Sequence, residues 1–555
     1  MTRLTGKHAL MQMLQAEGVQ YIFGNPGTSE SPIMSALESY PDLKYILVLQ
    51  EGVAMGMADA YGRATGQPAF VNLHIETGLA NGISLLHNAA EGGAPLVLTA
   101  GNKDSRELAH GRTDLARMVQ QFTKWSGEVT RPEQIPYAIR RAFNEAKTPP
   151  TGPTFVAFSA DGLDDEADVD IWPSSPRALR AAPDLKAVQD AARLLSSADA
   201  PILLVGDRVA ASGGSEEAVR MAELIGARVY TPYYSEMGFP TSHSQYLGNL
   251  RLGLASGKEE LSKGDVVLAV GRISSGYYML SEPELVYFGA CSSLIHLDSA
   301  ARELGKSQAT EVAILADPKL ALAQLVEAVE AEMSSSDRQQ ARGRSRSIGT
   351  EKASLRARQE QRMRERWEQA PMTPERMMHE VASVLPADTV VADDAITSSA
   401  ALQQALAFDK PGSIYGGRGG AIGWGMGGGL GLKLAFPDRP VVAFVGDGSA
   451  MMTVQGLWTA ANENLPIVYV VCNNGAYRIL KLNMDAYRKV VHEESTPSSY
   501  LGMDFNLPLD LAAMARAQGV FGQRIEDPNE IGPAVRAALE SGKPALLDVV
   551  IDGSL

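Results

Sequence analysis

Short runs of β-branched and other apolar residues recur along the chain, each closed by a Gly-containing turn and followed by a stretch with helical spacing. PAFVNLH, APLVLTAGN, PTFVAFSA, APILLVGD, DVVLAVG, LIHLD, TVVADDA, PVVAFVGDGS, PIVYVVCNN and PALLDVVID are examples. These strands are continuously apolar instead of alternating, which is the pattern of strands buried on both faces. The chain therefore predicts an α/β fold in which doubly wound parallel sheets are covered by helices, three times over.

Two stretches break that rhythm. Residues 161–184, DGLDDEADVDIWPSSPRALRAAPD, are acidic and Pro-containing, and predict an interdomain connection. Residues 332–369 are polar and dense in Arg, with a helical second half in which Glu and Gln are interleaved. A basic run can serve RNA or a membrane surface, but this mixture predicts a solvated linker helix. Cutting at these places leaves domains at 1–165, 180–332 and 370–555, joined by a charged linker at 333–369. A length of 555 residues suits several domains, and no 20–50-residue repeat points to a solenoid.

Composition narrows the function. With 50 Lys+Arg against 65 Asp+Glu the net charge is −15, which argues against a nucleic-acid partner. No apolar run approaches the roughly 20 residues of a membrane span, and the first residues form an amphipathic pattern without a signal core. The two cysteines, Cys291 and Cys472, exclude a disulfide framework and a Cys-rich zinc site. A cytoplasmic metabolic enzyme is the expectation.

The sharpest motif lies in the last third. The strand RPVVAFVGDGS ends in Gly446-Asp447-Gly448-Ser449, a helix follows, and a second strand ends in Asn473-Asn474-Gly475. In a parallel sheet both strand ends share one edge, where α/β ligand sites form. Asp447 and Asn474, 27 positions apart, therefore point into one crevice. Carboxylate and amide oxygens are hard ligands, suited to Mg²⁺ or Ca²⁺. The glycines let a phosphate approach the backbone, and the helix offers its amino-terminal amides.

This pairing resembles the thiamine-diphosphate-dependent enzymes. The resemblance implies that Asp447, the Asn474 side chain and the Ala476 carbonyl hold a Mg²⁺ clamping the diphosphate, with Gly446, Gly448 and Ser449 around it. Upstream, YGGRGGAIGWGMGGGLG carries Ile422 at the position of the family's large apolar residue that bends the cofactor, and the Gly420 carbonyl would meet its exocyclic amine. Most glycines of this tract are expected to serve close helix–strand packing. In DDAITSS, Thr397 and Ser398 could donate to phosphate or could cap a helix.

The first third is similar to the family's pyrimidine-binding domain. By resemblance Glu51, at the end of YILVLQ, hydrogen-bonds the cofactor's ring nitrogen and helps remove its C2 proton. FGNPGTSE and FVNLHIETG resemble benzoylformate decarboxylases. There Thr28 is the counterpart of a serine that binds the substrate carboxylate, His74 that of a proton-shuttling histidine, and Asn25 joins the cofactor contacts. The second histidine of those enzymes has no counterpart: Tyr278 falls near its place, beside Tyr277, and a phenol titrating near pH 10 is a poor shuttle. Glu76, two residues after His74, also departs from the pattern, and His110 reads as a surface histidine.

The middle third predicts a Rossmann-like domain whose role is structural or at the substrate's edge in preference to binding a nucleotide or flavin. The family habit is a homodimer at minimum and commonly a homotetramer, with Glu51 of one chain facing Asp447 of its neighbour. The reading is a thiamine-diphosphate- and Mg²⁺-dependent 2-oxo acid decarboxylase acting on a small molecule. Its alternative is an acetolactate-synthase-like carboligase; an oxidoreductase built on the glycine tracts and a non-catalytic scaffold explain the motifs less well.

Overall fold

A computed structural model describes residues 2–555 apart from 108–110, 176–179, 233–235, 251, 253–254, 273–291, 307 and 492–498. It contains three six-stranded parallel sheets, one in each of the three large units. The α/β reading of the apolar runs is therefore met. The first sheet runs, edge to edge, Lys44–Leu47, Tyr21–Asn25, Ala69–Leu73, Leu96–Asn102, Pro153–Ser159 and Trp125–Val129. The last runs Ile414–Gly416, Val390–Asp394, Val441–Gly446, Val468–Asn473, Ala545–Val550 and Phe521–Ile525. Numbered within their own sheets, both have the order 2-1-3-4-6-5. The central sheet has the dinucleotide-fold order 3-2-1-4-5-6.

In the two outer sheets the order reverses between the first and third strands, and a ligand crevice opens where it does. Asn25 and His74 flank that point in the first sheet, Asp394 and Asp447 in the last. The helix after each second strand is also equivalent, Glu51–Thr65 in one unit and Trp424–Ala435 in the other, and these two helices lie against each other. The glycine tract makes that possible. A Cβ on Gly427 would sit 2.5 Å from the Val53 carbonyl oxygen, and one on Gly431 2.2 Å from that of Met57. Trp424 is fully buried at this contact and donates from Nε1 to Asp59 over 2.6 Å.

Both irregular stretches have more structure than their composition suggests. Glu166–Val169 pairs antiparallel with Thr2–Thr5, so the acidic connection folds back onto the start of the chain. The charged linker is a 31-residue helix, Ser335–Glu365, and it is docked on the middle unit. Ala341 and Ile348 are buried, Arg228 pairs with Glu351 at 2.6 Å, and Lys352 donates to the carbonyls of Thr241 and His243. Among the described residues no helix is long and apolar enough to cross a membrane.

Candidate active site

The last sheet brings Asp447 and the turn 474–476 together. Asp447 begins a helix directly at its strand end and is buried. Its two carboxylate oxygens accept from the Gly448 and Gly475 amides, each over 2.7 Å. Burial pushes its carboxyl up to about 6 against the pull of those amides. Asn474 Oδ1 accepts from the Ala476 amide over 3.0 Å. Gly475 takes φ +69° and faces open space, which suits glycine.

Behind this turn, Asp394 is a buried carboxylate with several tasks. Its Oδ2 accepts from the Gly425 amide (2.9 Å), the Gly423 amide (3.3 Å) and the Ser449 hydroxyl. Ser449 in turn accepts from the Gly423 amide over 2.8 Å. The helix bearing Asp447 is thereby tied to the loop that carries Gly420 and Ile422. A Cβ on Gly420, at φ +87°, would meet nothing within 4 Å, and Ile422 is half-buried. Ser398 occupies the N-cap position of Ser399–Ala405 but makes no capping bond. Its hydroxyl is buried beside the Cys472 thiol, with no nitrogen or oxygen partner, whereas Thr397 is half-buried.

In the first sheet, Glu51 opens the helix Glu51–Thr65, whose N-cap Gln50 accepts from the Val53 amide over 3.2 Å. The Glu51 carboxylate is buried and held from two sides, by Asn25 Nδ2 on Oε1 and Asn81 Nδ2 on Oε2, each at 3.1 Å. Both predicted residues of this half, Asn25 and Glu51, thus meet.

His74 sits at the next strand end with its ring partly exposed. Its Nδ1 lies 2.8 Å from Ser29 Oγ and 2.9 Å from Glu30 Oε2. Glu30 is fully buried and also accepts from the amides of Gly27 (3.0 Å) and Gly101 (2.8 Å) and from the Ser29 hydroxyl (2.8 Å). An ionised carboxylate only accepts, so Nδ1 is the donor and Nε2 is left as the basic nitrogen. Thr28, the hydroxyl singled out by sequence, is exposed, and it is the adjacent Ser29 that meets His74. Gly27 is needed here, since a Cβ would lie 2.2 Å from His74 Nδ1.

Ser29, Glu30, Asn81 and Asp394 were not among the expected site residues, although Ser29, Glu30 and Asp394 lie inside FGNPGTSE and DDAITSS. Tyr277, Tyr278 and His110 lie outside the described residues. Ile479, Leu480 and Asn483 are on the helix Arg478–Val491, with Leu480 exposed and the other two half-buried.

Residues 4–122 match the family model "Thiamine pyrophosphate enzyme, N-terminal TPP binding domain", residues 188–325 its central domain and residues 394–549 its C-terminal TPP binding domain. The chain is 28% identical to a benzoylformate decarboxylase of Pseudomonas aeruginosa over 550 residues, 98% of either chain. It is 27% identical to a probable acetolactate synthase large subunit of Methanocaldococcus jannaschii over 571 residues, 99% of this chain and 92% of that one. Among solved structures, a thiamine diphosphate-dependent 4-hydroxybenzoylformate decarboxylase of Rhodococcus jostii RHA1 superposes with a TM-score of 0.83 at 26% identity, covering 99% of this chain and 100% of that one.

Proposed function

We propose that this chain, which belongs to the thiamine pyrophosphate enzyme family, is a Mg²⁺-dependent decarboxylase of 2-oxo acids. The residues present fit the cofactor on three observations. A carboxylate, an amide and a backbone carbonyl at Asp447, Asn474 and Ala476 make a hard-oxygen donor set for a dication that keeps positions open for phosphate oxygens. The Ser398 hydroxyl is buried with no oxygen or nitrogen partner, as a phosphate-facing donor would be before its ligand arrives. Gly420 faces open space, next to the Ile422 side chain that would support the bent cofactor.

When bound, thiamine diphosphate supplies the electron sink that takes up the pair left as carbon dioxide departs. The chain's own residues handle protons and position. Glu51, held by Asn25 and Asn81, would hold a proton toward a ring nitrogen of the bound group, the acid–base help that the cofactor's weakly acidic C–H needs near neutral pH. His74 would take up a proton at Nε2 from solvent through its exposed face and deliver it to the product carbon. Thr28, exposed in the same turn as Ser29, would meet the substrate carboxylate with its hydroxyl, since the Ser29 hydroxyl already donates to Glu30.

The observation that carries this reading is the Ser29–Glu30–His74 group, a histidine fixed through Nδ1 with its other nitrogen free, at the same sheet edge as Glu51. Carboligation is the second reading, favoured by near-equal identity to an acetolactate synthase. A homodimer is proposed because large apolar side chains are exposed beside both half-sites, Leu49 next to Glu51 and Met452 on the Asp447 helix. The low cysteine count supports work in the cytoplasm.

The test is carbon dioxide release by the loaded enzyme across 2-oxo acids from pyruvate to benzoylformate, with product identification. Aldehyde from an aromatic or branched substrate, lost in Glu51→Gln, is the expected result. Acyloin from pyruvate without free aldehyde moves the assignment to a synthase, and no turnover of any 2-oxo acid overturns both.

A further inference from the structure

The turn 474–476 is backed by a segment from further along the chain, in which Asp504 lies antiparallel opposite Ala476. The Tyr477 amide donates to the Met503 carbonyl over 2.8 Å, and the Phe505 amide donates to the Gly475 carbonyl over 2.9 Å. The Ala476 amide is taken by Asn474 Oδ1 over 3.0 Å. Both peptides that flank Ala476 are thus fixed. Of their four polar groups only the Ala476 carbonyl accepts from nothing among the described residues. The backing segment is itself stapled to the helix Arg478–Val491: the Tyr500 hydroxyl lies 2.9 and 2.8 Å from the two carboxylate oxygens of Asp485, and Lys481 pairs with Asp504. The Phe505 ring meets Tyr477 edge-on with centroids 4.8 Å apart. Both rings rest on Gly448, the neighbour of Asp447, where a Cβ would lie 2.4 Å from Tyr477 Cε1 and 3.1 Å from Phe505 Cζ.

We infer that Phe505 is a positioning residue for the Ala476 carbonyl as a metal ligand. In a planar trans peptide the N–H and the C=O point in opposite directions. Drawing the Tyr477 amide toward Met503 therefore turns the Ala476 carbonyl away from the backing segment and leaves it open to a cation. The Tyr477 and Phe505 rings, seated on Gly448, hold this peptide at a set distance from the Asp447 carboxylate. A residue outside the donor set thus governs how well the oxygens of Asp447, Asn474 and Ala476 match one ion. The inference rests on the proposed reading that these three hold Mg²⁺, and it involves the last unit of one chain alone. Phe505 acts through the peptide it fixes.

Mg²⁺ demands near-ideal octahedral geometry whereas Ca²⁺ tolerates irregular ligand sets, so the two ions separate positioning from folding. The test measures binding of each ion to the full-length protein by calorimetry, with thiamine diphosphate in excess. In Phe505→Ala the Mg²⁺ affinity is expected to fall about 10-fold, the lower end of what losing an outer-shell partner costs a metal site. Ca²⁺ affinity should fall less than about threefold. Phe505→Leu, which refills most of the space, should recover most of the Mg²⁺ loss. A purely structural role would weaken both ions alike. If Phe505→Ala does not fold, Lys481→Met, which frees Asp504, is expected to shift the ratio of Mg²⁺ to Ca²⁺ affinity in the same direction by a smaller factor. An unchanged or reversed ratio in the folded variant would overturn the proposal, however the absolute affinities move. Asp447→Asn is run in parallel: if it binds both ions like wild type, the metal reading has failed, whereas loss of both ions there with an unchanged ratio at Phe505 sinks the positioning role alone.

Discussion

The Gly475 amide donates to the Asp447 carboxylate over 2.7 Å, joining two strand-end turns that lie 28 positions apart in the chain. With the Gly448 amide on the other oxygen, the carboxylate is oriented before any ligand arrives. Asp447→Asn puts an N–H where one of those amides points, so the turn 474–476 loses its anchor at the same time as the site loses a charge. Cofactor affinity in the presence of Mg²⁺ should drop about 10²-fold, corresponding to about 3 kcal/mol for a charged, hydrogen-bonded group. Titration calorimetry checks this, and affinity within threefold of wild type would remove Asp447 from the metal site.

Glu30 governs which ring nitrogen of His74 carries the proton. In Glu30→Gln one acceptor oxygen becomes an NH₂ group. If it faces His74, Nδ1 must accept, and the proton moves to Nε2. The wrong tautomer at a catalytic histidine costs on the order of 10⁴-fold where an aspartate-to-asparagine change has been made in a serine protease. A loss of about 10²- to 10⁴-fold in product release, at unchanged cofactor affinity, is expected here, with ¹⁵N NMR of the histidine reporting the tautomer. Full activity with an inverted tautomer would dissociate His74 from proton transfer.

Much of this site was legible before any coordinates. Asp447, Asn474 and Glu51 stand at the ends of continuously apolar strands, and parallel topology carries such ends to one edge whatever the side chains around them. The Rossmann-like order of the middle sheet and the packing role of the glycine tract were readable on the same grounds. What pattern could not supply was phase within tight turns and partners from distant segments. Thr28 and Ser29 are equal as hydroxyls in FGNPGTSE, and only the 3₁₀ turn Thr28–Glu30 decides that Ser29 turns toward His74. Glu30 reads as a loop carboxylate until four donors converge on it. Asn88 meets Ala421 across 333 positions of chain. The linker helix looked solvated because its buried residues, Ala341 and Ile348, are few among many charges.

Arg63 is the pivot of the junction between all three units. Its guanidinium, nearly fully buried, pairs with Glu236 of the middle unit and with Asp59 at 3.4 Å, and donates to the Gly416 carbonyl over 3.0 Å. Burial pushes both carboxyls up, and Arg63 pulls them back. Arg63→Met removes the guanidinium from two buried carboxylates, of which Asp59 keeps the Trp424 indole as a donor, and should cost about 3–5 kcal/mol in denaturant unfolding. Adding Glu236→Gln should recover part of that loss, since the pair is coupled. Strictly additive effects would show that Arg63 acts through packing alone.

Asp394 makes a prediction about pH that is separable from metal binding, because it is measured without cofactor. Burial raises its carboxyl from 3.8 to about 6, opposed by the Ser449 hydroxyl and the Gly425 amide. A folded-state pKa above the unfolded one means the folded state favours the protonated form. The stabilisation it contributes is therefore fully present below about pH 4 and lost as the pH rises through about 6. Over those two units, at about 1.4 kcal/mol each, the swing is about 3 kcal/mol. All three described donors to Asp394 address Oδ2, so an asparagine with its oxygen in that place keeps every bond and never ionises. Asp394→Asn should match wild type near pH 4 and become progressively more stable than it up to pH 7, in unfolding experiments on the apoprotein. Parallel stability profiles for the two proteins would mean that the carboxylate ionises freely in place and that the strand-end tie between Ser449 and the Gly423 loop does not depend on its charge.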